Sequence, residues 1–200
     1  MDEVLLIQAA QQGDLDAFNR LVLAYQDIVY NQALRMLGDE AAASDATQEA
    51  FISAYRNMKG FRGGIFRAWL LRIVTNACYD DLRRRQRRPT ISLEPMDDSG
   101  EEVESPHWMA DERNLPEDEV EKAELERAIV SCLNRLPLEF KAVVVLVDVQ
   151  GLDYNEAALS MGKPVGTVKS RLARARLRMR DCLQGFWELL PVEFRLKLES

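Results

Sequence analysis

Residues Leu152–Met179 read LDYNEAALSMGKPVGTVKSRLARARLRM, and this stretch decides the fold. Asp153, followed three residues later by Glu156, is a capping-box start for a short helix. Gly162 and Pro164 end that helix, and a second one opens around Pro164 to Thr167. The second helix is basic. From Val165 to Arg180 it carries Lys169, Arg171, Arg174, Arg176, Arg178 and Arg180 and no acid. Two helices joined by a Gly-containing turn, the second one basic, form the helix-turn-helix pattern.

At 100° per residue, Val168, Leu172, Ala175 and Met179 fall on one stripe, which should face the core. Thr167, Arg171, Arg174 and Arg178 line one flank, and Lys169, Arg176 and Arg180 the other. Ser170, Ala173 and Leu177 lie between them, opposite the core. Two cationic rails with small residues between them suit a helix lying in a DNA major groove. The rails meet phosphates on both walls, and Ser170 and Ala173 allow close approach to base edges. The bland alternative is a solvated basic face. Leu177 points outward with no evident reason, unless a partner or the tail covers it.

The whole chain is nevertheless acidic, with 200 residues, a formal charge of −7 and 47% hydrophobic residues. The charge is segregated. Residues 1–88 carry a net +1, residues 89–124 a net −11, residues 125–185 a net +4 and the remainder −1. The acidic segment contains Pro89, Pro95, Pro106 and Pro116 and has no helical period, so it reads as an extended, self-repelling linker. Two domains are expected around it. The boundaries expected are 1–88 for the first domain, 89–120 for the linker, 121–185 for the second domain and 186–200 for a tail.

Before the linker, Phe18, Leu21, Val22, Tyr25, Val29 and Ala33 recur at helical spacing, and Gly38-Asp39 breaks the pattern. SDATQEAFISAYRNM follows, with Ser44 as the expected N-cap. A glycine loop then leads into FRAWLLRIVTNACYDDLRRRQRR, a helix ending in a basic cluster. After the linker, VEKAELERAIVSCLNRL is helical. The Val-rich run in LEFKAVVVLVDVQ is read as a buried helix rather than a strand. The fold class expected is all-α: two small helical domains and a flexible linker. Strand-like alternation occurs only in the tail, at Val192, Phe194, Leu196 and Leu198.

These stretches together resemble a known family. LPLEFKAVVVLVDVQGLDYNEAALSMGKPVGTVKSRLARARLRMRDCL is similar to the −35-reading domain of the extracytoplasmic-function (ECF) sigma factors. DATQEAFISAYRNM and AWLLRIVTNACYDDLRRRQRR resemble their −10-reading domain. The resemblance covers about residues 5 to 185 in the family order. It implies an initiation factor that binds core RNA polymerase, through β′ and β, and directs it to promoter DNA. Asp45, Gln48, Glu49 and Ile52 share a helix face and match the positions that dock on a basic coiled coil of β′. Two carboxylates and an amide beside an apolar centre suit arginine partners.

The resemblance also implies that the −10 element is read as melted strand, one base captured in a pocket. The loop GFRGGIF, with Phe61, Arg62 and Phe66, matches the loop forming that pocket, and Asn76 matches a position touching an extruded base. Phe61 or Phe66 could stack on it; Trp69 is equally a core residue. Arg83, Arg84 and Arg85, with Arg87 and Arg88, suit phosphates near the melting point. For the −35 duplex the candidates are Thr167, Lys169, Ser170, Arg171, Arg174 and Arg176, with Arg171 and Arg174 foremost for base edges. The linker would thread toward the RNA exit path as a nucleic-acid mimic, so neutralising Asp97, Asp98, Glu101 and Glu102 should alter abortive synthesis. The family often has an anti-sigma factor as a further partner.

Other classes fit less well. The one histidine, His107, lies in the linker, and no Cys/His cluster has metal spacing. No Gly-rich phosphate loop follows a strand. Neither an enzyme nor a cofactor is indicated. A stand-alone helix-turn-helix regulator would share the basic helix and lack a use for the first domain. The N-terminus lacks the pattern of a secretory signal, and no apolar run is long enough to span a membrane, which points to the cytoplasm. Cys78, Cys132 and Cys182 are odd in number and far apart, as in a reduced protein with buried thiols.

Overall fold

A computed structural model describes residues 3–87 and 117–191. In the first domain α1 spans Glu3–Gln11, α2 Leu15–Leu37, α3 Glu40–Asn57 and α4 Phe66–Arg87, with a 3-10 turn at Met58–Gly60. In the second, α5 spans Glu117–Asn134, α6 Leu138–Val144, α7 Tyr154–Met161 and α8 Val165–Leu183. A π-helical segment, Val145–Val149, continues α6, and a 3-10 segment, Gln184–Leu189, follows α8. There is no strand among the described residues, and the alternating part of the tail lies outside them.

Local chemistry sets the helix ends. The Asp14 carboxylate accepts from Ala17 N at 3.0 Å, and that of Asp39 from Ala42 N at 2.7 Å. Asp39, not Ser44, therefore caps α3. Its side chain reaches the free amides of a helix that starts earlier than the hydrophobic period suggests. Gly38 closes α2 at φ 72°, a left-handed conformation that suits glycine. The buried face of α3 is Ala42, Ala43, Ala46, Ala50 and Ala54. Such small side chains let α2 and α4 approach closely, and Phe18, Leu21, Met36, Leu70 and Leu71 fill the space between.

The valine run is helical, as its length and flanks suggest. Val143, Val145 and Leu146 are fully buried. Beyond Val144 the ladder widens, with Gln150 N donating to Val145 O at 2.8 Å.

The domains do not merely flank the linker; they pack on one another. α7 lies against α4, where Ser160 Oγ donates to Ala68 O at 2.9 Å. Lys141, only 7% exposed, donates to Met36 O at 2.9 Å and to Asn134 Oδ1 at 2.8 Å. Gln150 Nε2 donates to Ile28 O at 3.3 Å, and Arg67 donates to Gln150 O. α5 also begins at Glu117, inside the stretch expected as linker. The expectation of three reduced thiols is corrected too. Cys132 on α5 and Cys182 on α8 are joined by a disulfide, and Cys78 is the free, buried thiol. Spacing along the chain says nothing about which thiols the helix packing brings together.

Candidate nucleic-acid interface

The turn before α8 is built as its residues dictate. Asp153 accepts from Asn155 N at 2.7 Å and Glu156 N at 2.8 Å, while Glu156 Oε2 accepts from Asp153 N at 2.8 Å. Gly162 ends α7 at φ 59°, where a β-carbon would be strained. Pro164 then accepts from Thr167 N at 2.9 Å, opening α8. The core stripe falls where the wheel places it: Val168, Leu172 and Ala175 are buried, Met179 partly so. Leu177 is 49% exposed.

The cations of α8 divide by their neighbours. The side chain of Arg171 is only 19% exposed and pairs with Glu139 of α6 at 2.5 Å. Arg176 forms a bidentate fork on Asp148, at 2.5 and 3.2 Å. Lys169 Nζ sits 5.3 Å from the ring centre of Tyr154, and the Arg178 guanidinium 4.9 Å from that of Phe140. Arg174 is exposed and has no partner among the described residues. Thr167 is half-buried and Ser170 exposed, with Ser170 Oγ donating to Thr167 O at 3.0 Å. The two foremost base-edge candidates thus differ: Arg174 reaches solvent free, whereas Arg171 is held.

In the first domain, Asp45, Gln48, Glu49 and Ile52 line one groove of about 600 Å³, together with Ser53, Arg56 and Asn57. Ile52 is 44% exposed within that acidic wall. A second cavity of about 320 Å³ is lined by Asn57, Gly60, Trp69, Arg72, Ile73 and Asn76. Asn76 is one of its lining residues. Phe61 and Phe66 do not line it. They are 7% and 2% exposed and meet edge to face at 5.5 Å. Trp69 stacks behind them at 5.2 and 5.4 Å, so the phenyl rings support the tryptophan that lines the pocket. Trp69, Arg72, Ile73 and Asn76 follow i, i+3, i+4, i+7 spacing, a signal that could have found Arg72 and Ile73.

Arg62 is exposed in the loop between. Arg85 pairs with Asp81 at 2.7 Å and stands 3.9 Å from Asp39, and Arg83 pairs with Asp80 at 3.5 Å. Both arginines are about half exposed or more, so solvent screens these pairs and they hold the side chains weakly. Arg84 is exposed with no partner among the described residues.

A family model described as Sigma-70 region 2 matches residues 21–88, and one described as Sigma-70, region 4 matches residues 126–179. The chain belongs to the ECF sigma factors. It is 37% identical over 180 residues to the RNA polymerase sigma-H factor of Pseudomonas aeruginosa, covering 90% of this chain and 92% of that one. It is also 37% identical over 172 residues to the ECF RNA polymerase sigma factor SigE of Mycolicibacterium smegmatis, covering 86% of this chain and 63% of that longer relative. Among solved structures it is similar to CnrH in complex with the cytosolic domain of CnrY, with a TM-score of 0.64, 28% identity, and coverage of 90% of this chain and 96% of that one. As a sigma factor it directs promoter-specific transcription. The region 2 match accounts for the first domain, which a stand-alone helix-turn-helix regulator leaves without a role. Among the described residues, no helix of this sigma factor is long and apolar enough to cross a membrane.

Proposed function

We propose that this sigma factor docks on core RNA polymerase through the Asp45–Gln48–Glu49–Ile52 groove, reads melted −10 strand at the Trp69–Asn76 pocket and reads −35 duplex with α8. The observation that carries the reading is the sharing of Asn57 by groove and pocket. Polymerase docked in the first would stand beside a base held in the second. Trp69 supplies a stacking face and Asn76 hydrogen bonds to a base edge, which offset the few kcal/mol of flipping. On α8, Arg174 reads a base edge, Ser170 allows the close approach, and Thr167, Lys169 and Arg176 anchor phosphates. Arg83, Arg84 and Arg85 hold the backbone near the melted segment.

The working boundaries are 1–88 and 121–185, with most of the acidic segment and of the tail outside the described residues. The protein acts as a factor and leaves catalysis to the polymerase, which places it in the cytoplasm. An anti-sigma factor is a further partner; the similar CnrH is bound to the cytosolic domain of CnrY.

The test is a titration of labelled chain with core RNA polymerase. Tight binding that Asp45→Arg/Glu49→Arg abolishes is expected. No binding to polymerase, with duplex DNA bound unaided, overturns the reading.

A further inference from the structure

Cys132 on α5 and Cys182 in the last turn of α8 stand 50 residues apart in sequence. Packing brings their Cα atoms to 5.8 Å, within the span a disulfide bridges, and the two sulfurs are bonded. The intervening segment contains all of α6, α7 and most of α8, so the bond encloses the helix-turn-helix.

The two sulfurs differ in access. Cys132 is 1% exposed, whereas Cys182 is half-buried near the surface. Arg135 Nη1 lies 3.9 Å from Cys182 Sγ. A guanidinium beside a thiol favours the thiolate, which is the nucleophilic form. A sigma factor works where thiols are kept reduced, and disulfides that form there are transient, catalytic or sensing. Cys78, 0% exposed on α4, has no partner thiol.

We propose that Cys132 and Cys182 form a reversible dithiol–disulfide site, oxidised by hydroperoxides, that stabilises the DNA-reading domain without closing its DNA face. The proposal rests on the sigma-factor reading for its compartment and for the use of α8. The Cys182 thiolate attacks the peroxide O–O bond, giving a sulfenic acid and hydroxide, which takes up a proton to become water. The Cys132 sulfur then attacks the sulfenic sulfur; its proton and the leaving hydroxyl depart as a second water. Two electrons pass from the two thiols to one peroxide. A small dithiol reverses the step by exchange. Cys182 lies about 22 Å along α8 from Thr167, so the bond leaves the first turns free for DNA. What it changes is the freedom of the unfolded loop that contains them.

The test uses the full chain, reduced and then treated with hydrogen peroxide, unfolded in N-ethylmaleimide and weighed. The reduced chain should take three alkyl groups and the oxidised chain one, since the sequence holds three cysteines. Dithiothreitol should restore three. Oxidation should raise the melting temperature by at least about 5 °C, and −35 duplex affinity at 25 °C should change less than about twofold. Cys78→Ser should keep the melting response, while Cys182→Ser and Cys132→Ala should each lose it. Three alkyl groups after peroxide, or protection that persists in Cys182→Ser, overturns the proposal. Polymerase binding measured on the same samples separates the two readings. Its absence in both redox states would remove the sigma reading and leave the thiol chemistry standing.

Discussion

Arg171 and Arg174 lie one turn apart on α8 and meet different surroundings. Arg174→Ala should cost about 1–3 kcal/mol of −35 affinity and relax preference at one base pair, as competition among single-base variants of the site would show. A uniform loss across sequences would make it a phosphate contact. Arg171 is already neutralised by Glu139. Glu139→Gln should free it for phosphate, raising non-specific DNA affinity several-fold and steepening the salt dependence by about one unit. An unchanged slope in a fluorescence anisotropy titration would count against that competition. The rails on α8 were legible in the sequence because helical spacing is local. Glu139 and Asp148 were not, since only the fold of α6 against α8 carries those carboxylates to Arg171 and Arg176. The loop phenylalanines show the same limit: an aromatic in a binding loop and one in the core look alike until Phe61 and Phe66 are seen to bury each other.

At the scale of elements, the short α7 depends on its start. Asp153→Ala removes both cap hydrogen bonds and should destabilise the chain by about 1 kcal/mol in urea denaturation. α6 offers a pH test through Lys141. Burial, the main cause, lowers its ammonium from 10.5 to about 8, with Cys78 acting in the opposite direction. Above pH 8 the folded chain has released that proton while the unfolded chain still holds it, so stability rises with pH in this window. Burial also pushes the Cys78 thiol up from 9.0 to about 12, with Asp81 adding to it. Its contribution has the opposite sign and begins near pH 9, where an exposed thiol ionises. The stability of the wild type relative to Lys141→Met should therefore improve between pH 8 and pH 9, by up to about 1 kcal/mol. A flat difference would mean that Lys141 titrates normally.

At the scale of the molecule, the two helical domains are in contact, with Ser160 on Ala68 and Lys141 on Met36. Promoter elements near −35 and −10 lie about 25 base pairs apart, roughly 80 Å of duplex. A chain that reads both at once must separate its domains. Dyes at Arg35 on α2 and Arg127 on α5, both exposed and outside the proposed sites, should show high energy transfer in the free chain and lose most of it on binding polymerase and promoter. Unchanged transfer would show that the packed arrangement persists on the promoter.

What the sequence determined by itself was the helices from α2 onward, the helix-turn-helix and the faces of α3 and α8. Each follows from interactions within a few turns: caps, glycine stops and a 3.6-residue period. What the tertiary structure decided was which distant groups meet: Glu139 with Arg171, Cys132 with Cys182, Lys141 with Met36, and the pocket walls of α4 with the loop before it. Those meetings depend on how whole helices pack, and packing is a property of many side chains together that no local period records.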